Sequence, residues 1–162
     1  MLVSAVVAGL AAGLVLKGRI TRLATLQVQW LPLFGVAVGL HLAALLPLGL
    51  QPQRDLYMVS LWLLVVVAAR NLVLFATPLV TAGLGLNAIG VTAAGGAMPV
   101  SPDAIAASHT LAPTDPLHAI TGEPGPLGDV IPLPFVGVYS IGDIVLASGV
   151  FLLIVGVMRD RQ

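Results

Sequence analysis

Apolar residues are gathered in long stretches along this chain, and the polar positions fall in short clusters between them. A helix rising about 1.5 Å per residue needs roughly 20 apolar residues to cross a hydrocarbon core about 30 Å thick, and anchored ends tolerate somewhat fewer. Five segments fit that description. The first runs from Met1 to about Leu16 and ends at Lys17, Arg19 and Arg22; the second runs from about Gln29 to Leu50, opened by an interfacial Trp30 and closed by Pro47 and a polar turn, Gln51-Pro52-Gln53-Arg54-Asp55. The stretch Leu56 to Val91 is too long for one crossing and is broken only at Arg70-Asn71. A guanidinium at mid-bilayer costs several kcal/mol on insertion scales, whereas one at a helix end snorkels to water. The cut therefore falls at Arg70, giving helices of about Leu56 to Ala69 and Leu72 to Val91. The last span is about Val138 to Met158, followed by Arg159-Asp160-Arg161.

The pattern thus predicts an all-α fold: a single polytopic transmembrane domain of about five helices, with a long structured extracytoplasmic loop, about 92–137, before the last one. Basic residues orient it. With the N-terminus outside, Lys17, Arg19, Arg22, Arg70, Arg159 and Arg161 all fall on the cytoplasmic face and only Arg54 falls outside, which places the chain in the plasma membrane with a cytoplasmic C-terminus. The outer loop is rich in Gly and Pro, but Met98, Val100, Ile105, Leu111, Leu117, Ile120, Leu127, Val130, Ile131, Leu133 and Phe135 supply apolar groups on which it can fold. Loops of that length are commonly functional.

Composition agrees with the pattern. Of 162 residues, 58% are hydrophobic and 9% charged, more apolar surface than a soluble domain of this size can bury. Charge cancels to zero, leaving no basic face for nucleic acid. With no cysteine there is no disulfide, thiolate metal site or cysteine nucleophile. The expected partners are the lipid bilayer and other membrane subunits; no cofactor or metal is expected.

Two carboxylates stand out. Asp143, in Tyr139-Ser140-Ile141-Gly142-Asp143, lies about a turn and a half into an otherwise apolar helix, where an ionisable group needs a partner, a shared proton or a wet pocket. Asp129, beside Gly128, is the nearest candidate. Two carboxyls sharing one proton can act as acid and base on a water. The plainer reading makes Asp143 a cap on Tyr139, Ser140 or loop amides and Asp129 a turn residue. His41, within the second span, reads as a satisfied or interfacial histidine. His109 and His118 share the outer loop with Asp103, Asp115 and Glu123 but match no metal-ligand spacing. Small residues at Ala8, Gly9, Ala12 and Gly13, and at Gly35 and Gly39, suit close helix packing.

The runs Asn87-Ala88-Ile89-Gly90-Val91-Thr92-Ala93-Ala94-Gly95-Gly96-Ala97-Met98-Pro99-Val100, Leu127-Gly128-Asp129-Val130-Ile131-Pro132-Leu133 and Tyr139-Ser140-Ile141-Gly142-Asp143, with Arg70-Asn71, resemble the bacterial membrane family known as domain of unknown function 5317. Ala94 stands where that family usually has asparagine. A more distant similarity is to lipoprotein signal peptidases: Gly85-Leu86-Asn87-Ala88-Ile89, Gly128-Asp129-Val130-Ile131 and Tyr139-Ser140-Ile141-Gly142-Asp143 are similar, in order and spacing, to three of their elements, the last two of which carry catalytic aspartates. The Asp-Arg that follows their first element is absent, their Phe-Asn is Tyr-Ser, and the first helix is additional. That resemblance implies an intramembrane aspartic hydrolase at the outer leaflet, with Asp129 and Asp143 catalytic and Asn87, Tyr139 and Ser140 touching substrate. The alternative is a non-enzymatic accessory or scaffold subunit of a larger membrane complex.

Overall fold

In the computed structural model, residues 1–159 are described; Asp160 and Arg161, part of the expected basic end, lie outside them. The chain is mostly helical: α1 (Leu2–Val15), a 3-10 turn (Ile20–Thr25), α2 (Leu31–Ala43), α3 (Leu50–Arg70), α4 (Thr77–Ala93), α5 (Pro102–Ser108) and α6 (Ile141–Met158). It is not all-α. β1 (Met98–Val100) pairs in parallel with β2 (His118–Ile120), and β3 (Ile131–Leu133) pairs antiparallel with β4 (Gly137–Tyr139). The long loop needed strands because its buried backbone must find partners within the chain.

Helix boundaries depart from the hydropathy reading for local reasons. The polar run 51–55 is not a turn but the opening of α3. Gly49 takes φ +96° to start that helix, and Pro52 sits in the first turn, where its missing N–H would have had no partner. The buried Gln53 amide donates to the Leu46 carbonyl, tying α3 to the end of α2. In turn, α2 stops at Ala43 because Pro47 and Gly49 cannot continue it. After Arg70 the chain turns rather than resuming a helix at Leu72. The buried Asn71 donates to Val67 O at 2.7 Å and to Gln29 O at 3.0 Å, and accepts from Gln29 N at 2.7 Å. The cut at Arg70 is where α3 ends, and the guanidinium lies 5.8 Å from the Trp30 ring centre. The last helix begins at Ile141 because Ser140 and Asp143 form a capping box, and residues 137–139 are β4.

Among the described residues, one helix, α6, is long and apolar enough to cross a membrane; α1, α2 and α4 are apolar but shorter. α6 is the centre of the packing. α4 runs antiparallel to it, with Gly83 against Leu146, Gly149 against Leu79 and Val80, and Gly156 against Phe75. α1 runs parallel to it, with Gly9 against Phe151 and Ile154 and Gly13 against Met158; the Met1 amine reaches Tyr139 Oη at 3.4 Å at one end, and Arg19 N reaches Met158 O at 2.9 Å at the other. α3 packs on α4, and α2 on α3. The strands and α5 cover the end of the bundle where α3 and α6 begin. There Tyr57 and Leu61 of α3, Ala88 and Val91 of α4, Met98 of β1 and Leu117 form one buried cluster.

Candidate functional site

Asn87, Ser140 and Asp143 meet where α4 ends and α6 begins. Asn87 Nδ2 donates to Asp143 Oδ1 at 2.8 Å, Ser140 Oγ donates to Asn87 Oδ1 at 2.8 Å, Asp143 N donates to Ser140 Oγ at 3.0 Å, and Ser140 N donates to Asp143 Oδ2 at 3.2 Å. Gly142 makes the approach of Asn87 possible, since any Cβ there would collide with the Asn87 amide. Asp143 is therefore in the first turn of α6, not a turn and a half inside it, and the polar partner it needed is a cap plus an asparagine from the neighbouring helix. Asn87 and Ser140 spend their hydrogen bonds on this network and orient Asp143. Tyr139, on β4, turns away from it: its hydroxyl meets the Met1 amine and the Val136 carbonyl.

Asp129 is different. Its backbone is fixed beside β1, with N donating to Pro99 O at 2.8 Å and O accepting from Ser101 N at 3.0 Å. Its side chain is 6% exposed, and Oδ1 has no hydrogen-bond partner. Burial lifts its pKa from the ordinary carboxylate value to about 7; the Asp143 charge adds to the rise, His118 opposes it, and Asp115 adds a smaller contribution. The two aspartates singled out in the sequence are thus electrostatically linked. Asp129 opens onto a cleft of about 200 Å³ lined by Val100, Ile105, Thr110, His118 and Val138 among others.

His118, weighed in the sequence only as a metal ligand without a matching spacing, is the group whose pairing with the aspartates was missed. Its Nδ1 lies 2.8 and 2.9 Å from the two Asp115 oxygens, and its Nε2 lies 3.7 Å from Asp129 Oδ2. Asp115 is itself held by Leu117 N at 3.0 Å. A signal was present: Asp115-Pro116 starts a tight turn, which brings a histidine three residues on back to the carboxylate. A second, larger cleft of about 620 Å³ is lined by Leu45, Gln53, Arg54, Asp115 and His118 among others. The other histidines are accounted for locally. His41 meets Ser60 Oγ at 3.1 Å and packs edge-on to Tyr57, and His109 stacks on Phe135 with ring centres 5.6 Å apart. Among the described residues, no three His, Asp or Glu side chains converge as a metal site would require.

Fold and site together define a helix-rich protein, with a helix fit to cross a membrane, whose strand-bearing loop holds a buried acid beside an aspartate-bound histidine. The family model described as "Family of unknown function (DUF5317)" matches residues 24–155, and the chain belongs to that family. The match takes in Asn87, Asp115, His118, Asp129, Ser140 and Asp143, while α1 precedes it. No curated protein and no solved structure matches the chain, so the likeness to lipoprotein signal peptidases finds no support beyond its short motifs.

Proposed function

We propose that the chain is a five-span membrane protein whose outer face carries an acid–base hydrolase centre built on Asp129 and Asp143. What supports the spans is the outward surface of the helices. Val3, Val15 and Leu42 are 76%, 80% and 59% exposed on apolar helices, a surface that lipid solvates and water does not. The bundle alternates in direction, so Lys17, Arg19, Arg22, Arg70 and Arg159 gather at one end and Arg54 at the other. Helices of 13 to 17 residues cover about 20–26 Å at 1.5 Å per residue, and apolar flanks such as Leu45, Leu46 and Leu48 extend them toward a full crossing.

One observation carries the chemistry: a buried carboxyl with an unoccupied oxygen faces a cleft and holds its proton near neutral pH, within the field of a second carboxylate. In this reading Asp129, protonated, donates to a substrate carbonyl. Asp143, steadied by Asn87 and Ser140, takes a proton from the attacking water and passes it to the leaving group as the tetrahedral adduct collapses, while the hydroxyl that Asp129 protonated returns its proton to Asp129. A substrate presented at the outer leaflet would be an extended membrane-anchored peptide or a lipid ester.

The test is a purified protein in lipid nanodiscs, offered membrane-anchored peptides and lipid esters, with products read by mass spectrometry. Hydrolysis should fall at least about 100-fold in both Asp129→Asn and Asp143→Asn while helicity is kept. Cleavage that persists in both variants, or none across either substrate class, overturns the proposal.

A second reading, an accessory subunit, has one observation in its favour. Gly9 and Gly13 are consumed by packing on α6, but Gly35 and Gly39 of α2 face open space, where another helix can approach closely.

A further inference from the structure

His118 is, among the described residues, the only one that lines both the small cleft holding Asp129 and the larger cleft holding Asp115 and Arg54. Its surroundings differ on the two sides. Asp129 is buried, with one oxygen unpartnered, whereas the side chains of His118 and Asp115 are 32% and 38% exposed. A buried acid needs a route by which water can set its protonation state, and His118, which lines both clefts, supplies one.

We infer that His118 is the proton relay between the buried Asp129 carboxyl and the water of the outer cleft, with Asp115 as the residue that sets its ring. The hydrogen bond to Asp115 puts the neutral ring's proton on Nδ1, so the Nε2 lone pair faces Asp129 Oδ2. At 3.7 Å that pair is too long for a direct hydrogen bond; a sub-ångström closure or one bridging water completes it. The step balances. The Oδ2–H bond of Asp129 breaks as Nε2–H forms, and Nδ1 releases its proton by way of Asp115 to water in the outer cleft. The ring stays neutral with its tautomer exchanged, and the reverse movement reloads the acid.

Asp115 lies beside the ring and Asp129 lies across the small cleft. Arg54 of α3 lines the outer cleft, and Asp143 of α6 and Tyr57 of α3 share the electrostatic field of Asp129. His118 is a positioning and relay residue: it acts on substrate through Asp129.

The relay rests on Asp129 being the acid of the proposed hydrolase, so its test does not use hydrolysis. The protein, uniformly labelled with 15N and 13C, is titrated in nanodiscs. Its three histidines are told apart with His41→Gln and His109→Gln. In the wild-type protein, the His118 ring-nitrogen shifts should move together with the pH-dependent shift of the Asp129 carboxyl carbon, as coupled sites do. In Asp115→Asn the His118 shifts should lose the Nδ1–H signature, and in His118→Gln the Asp129 midpoint should move up, because a neighbour that lowers it has gone. Independent titration of His118 and Asp129 in the wild-type protein overturns the relay, whether or not a variant folds. Coupled titration in a protein that hydrolyses nothing supports the relay and removes only the hydrolase; hydrolysis without coupling does the reverse.

Discussion

Asp129 and Asp143 are both acids at the end of the bundle where α6 begins, and their surroundings give them different work. Both Asp143 oxygens accept N–H groups, so the carboxylate is paired and its role is first to join α4 to α6. Asn87→Ala would take the side-chain donor from Asp143 Oδ1 and the acceptor from the buried Ser140 hydroxyl proton. Thermal unfolding in nanodiscs should show a loss of about 1–3 kcal/mol. Asp129 has the opposite relation to its proton. Because its folded pKa, about 7, lies above the ordinary carboxylate value, the folded protein keeps the proton where the unfolded chain has released it. Stability from this group is complete below the unfolded pKa, falls as pH rises, and is gone above about 7. At roughly 1.4 kcal/mol per pKa unit the span is a few kcal/mol. The melting temperature should therefore drop between about pH 4 and 7 in the wild-type protein, and Asp129→Asn should flatten that drop. Identical profiles would mean the proton is not held by Asp129.

Between helices, glycine decides how close two backbones come. A methyl group at Gly149 would stand 2.7 Å from Val80 N and 3.0 Å from Leu79 C, both rigid backbone, so Gly149→Ala must push α4 off α6. Overpacking of this kind costs about 1–3 kcal/mol, and here it also pulls Asn87 away from Asp143. At Gly39 the same methyl group meets nothing within 4 Å. Gly39→Ala should leave the monomer's stability within about 0.5 kcal/mol of wild type, since surface changes of this size rarely do more. If that face receives a partner helix, the same substitution weakens the association, which native mass spectrometry of the detergent-solubilised protein will register. Capping acts at the same scale. Ser140, with its hydroxyl on Asp143 N, is why α6 starts three residues later than its hydropathy suggests.

For the molecule as a whole, the proposed topology makes a direct forecast, and the chain suits the test because it has no cysteine of its own. Single cysteines at Thr114 and Gly122, in the strand-bearing loop, should react with a membrane-impermeant maleimide on intact cells. A cysteine at Thr25 should react only after permeabilisation. A reversed pattern would turn the bundle over and place the site on the cytoplasmic side.

How far this was legible in the sequence depends on the range of the interaction. Long apolar stretches, the break at Arg70 and the Ser140–Asp143 capping box are written locally. Each depends on transfer free energies or hydrogen bonds within a few residues, and so the mostly helical character of the chain and the end of α3 at Arg70 could be read directly. The opening of α3 at Leu50 was misread because Pro52 and its polar neighbours look like a turn, although proline in a first helical turn breaks no hydrogen bond. The parallel pairing of β1 with β2, the bridge that seats Asp129 beside Val100, and the meeting of His118 with Asp129 join positions 11 to 29 residues apart. Which oxygens are satisfied was decided there as well: Asp143 gained Asn87 from another helix, while Asp129 was buried with Oδ1 left open. Sequence alone determined where apolar chain would seek lipid or core; only the packed structure decided which acid kept a free face, because desolvation is a property of everything that closes around a group.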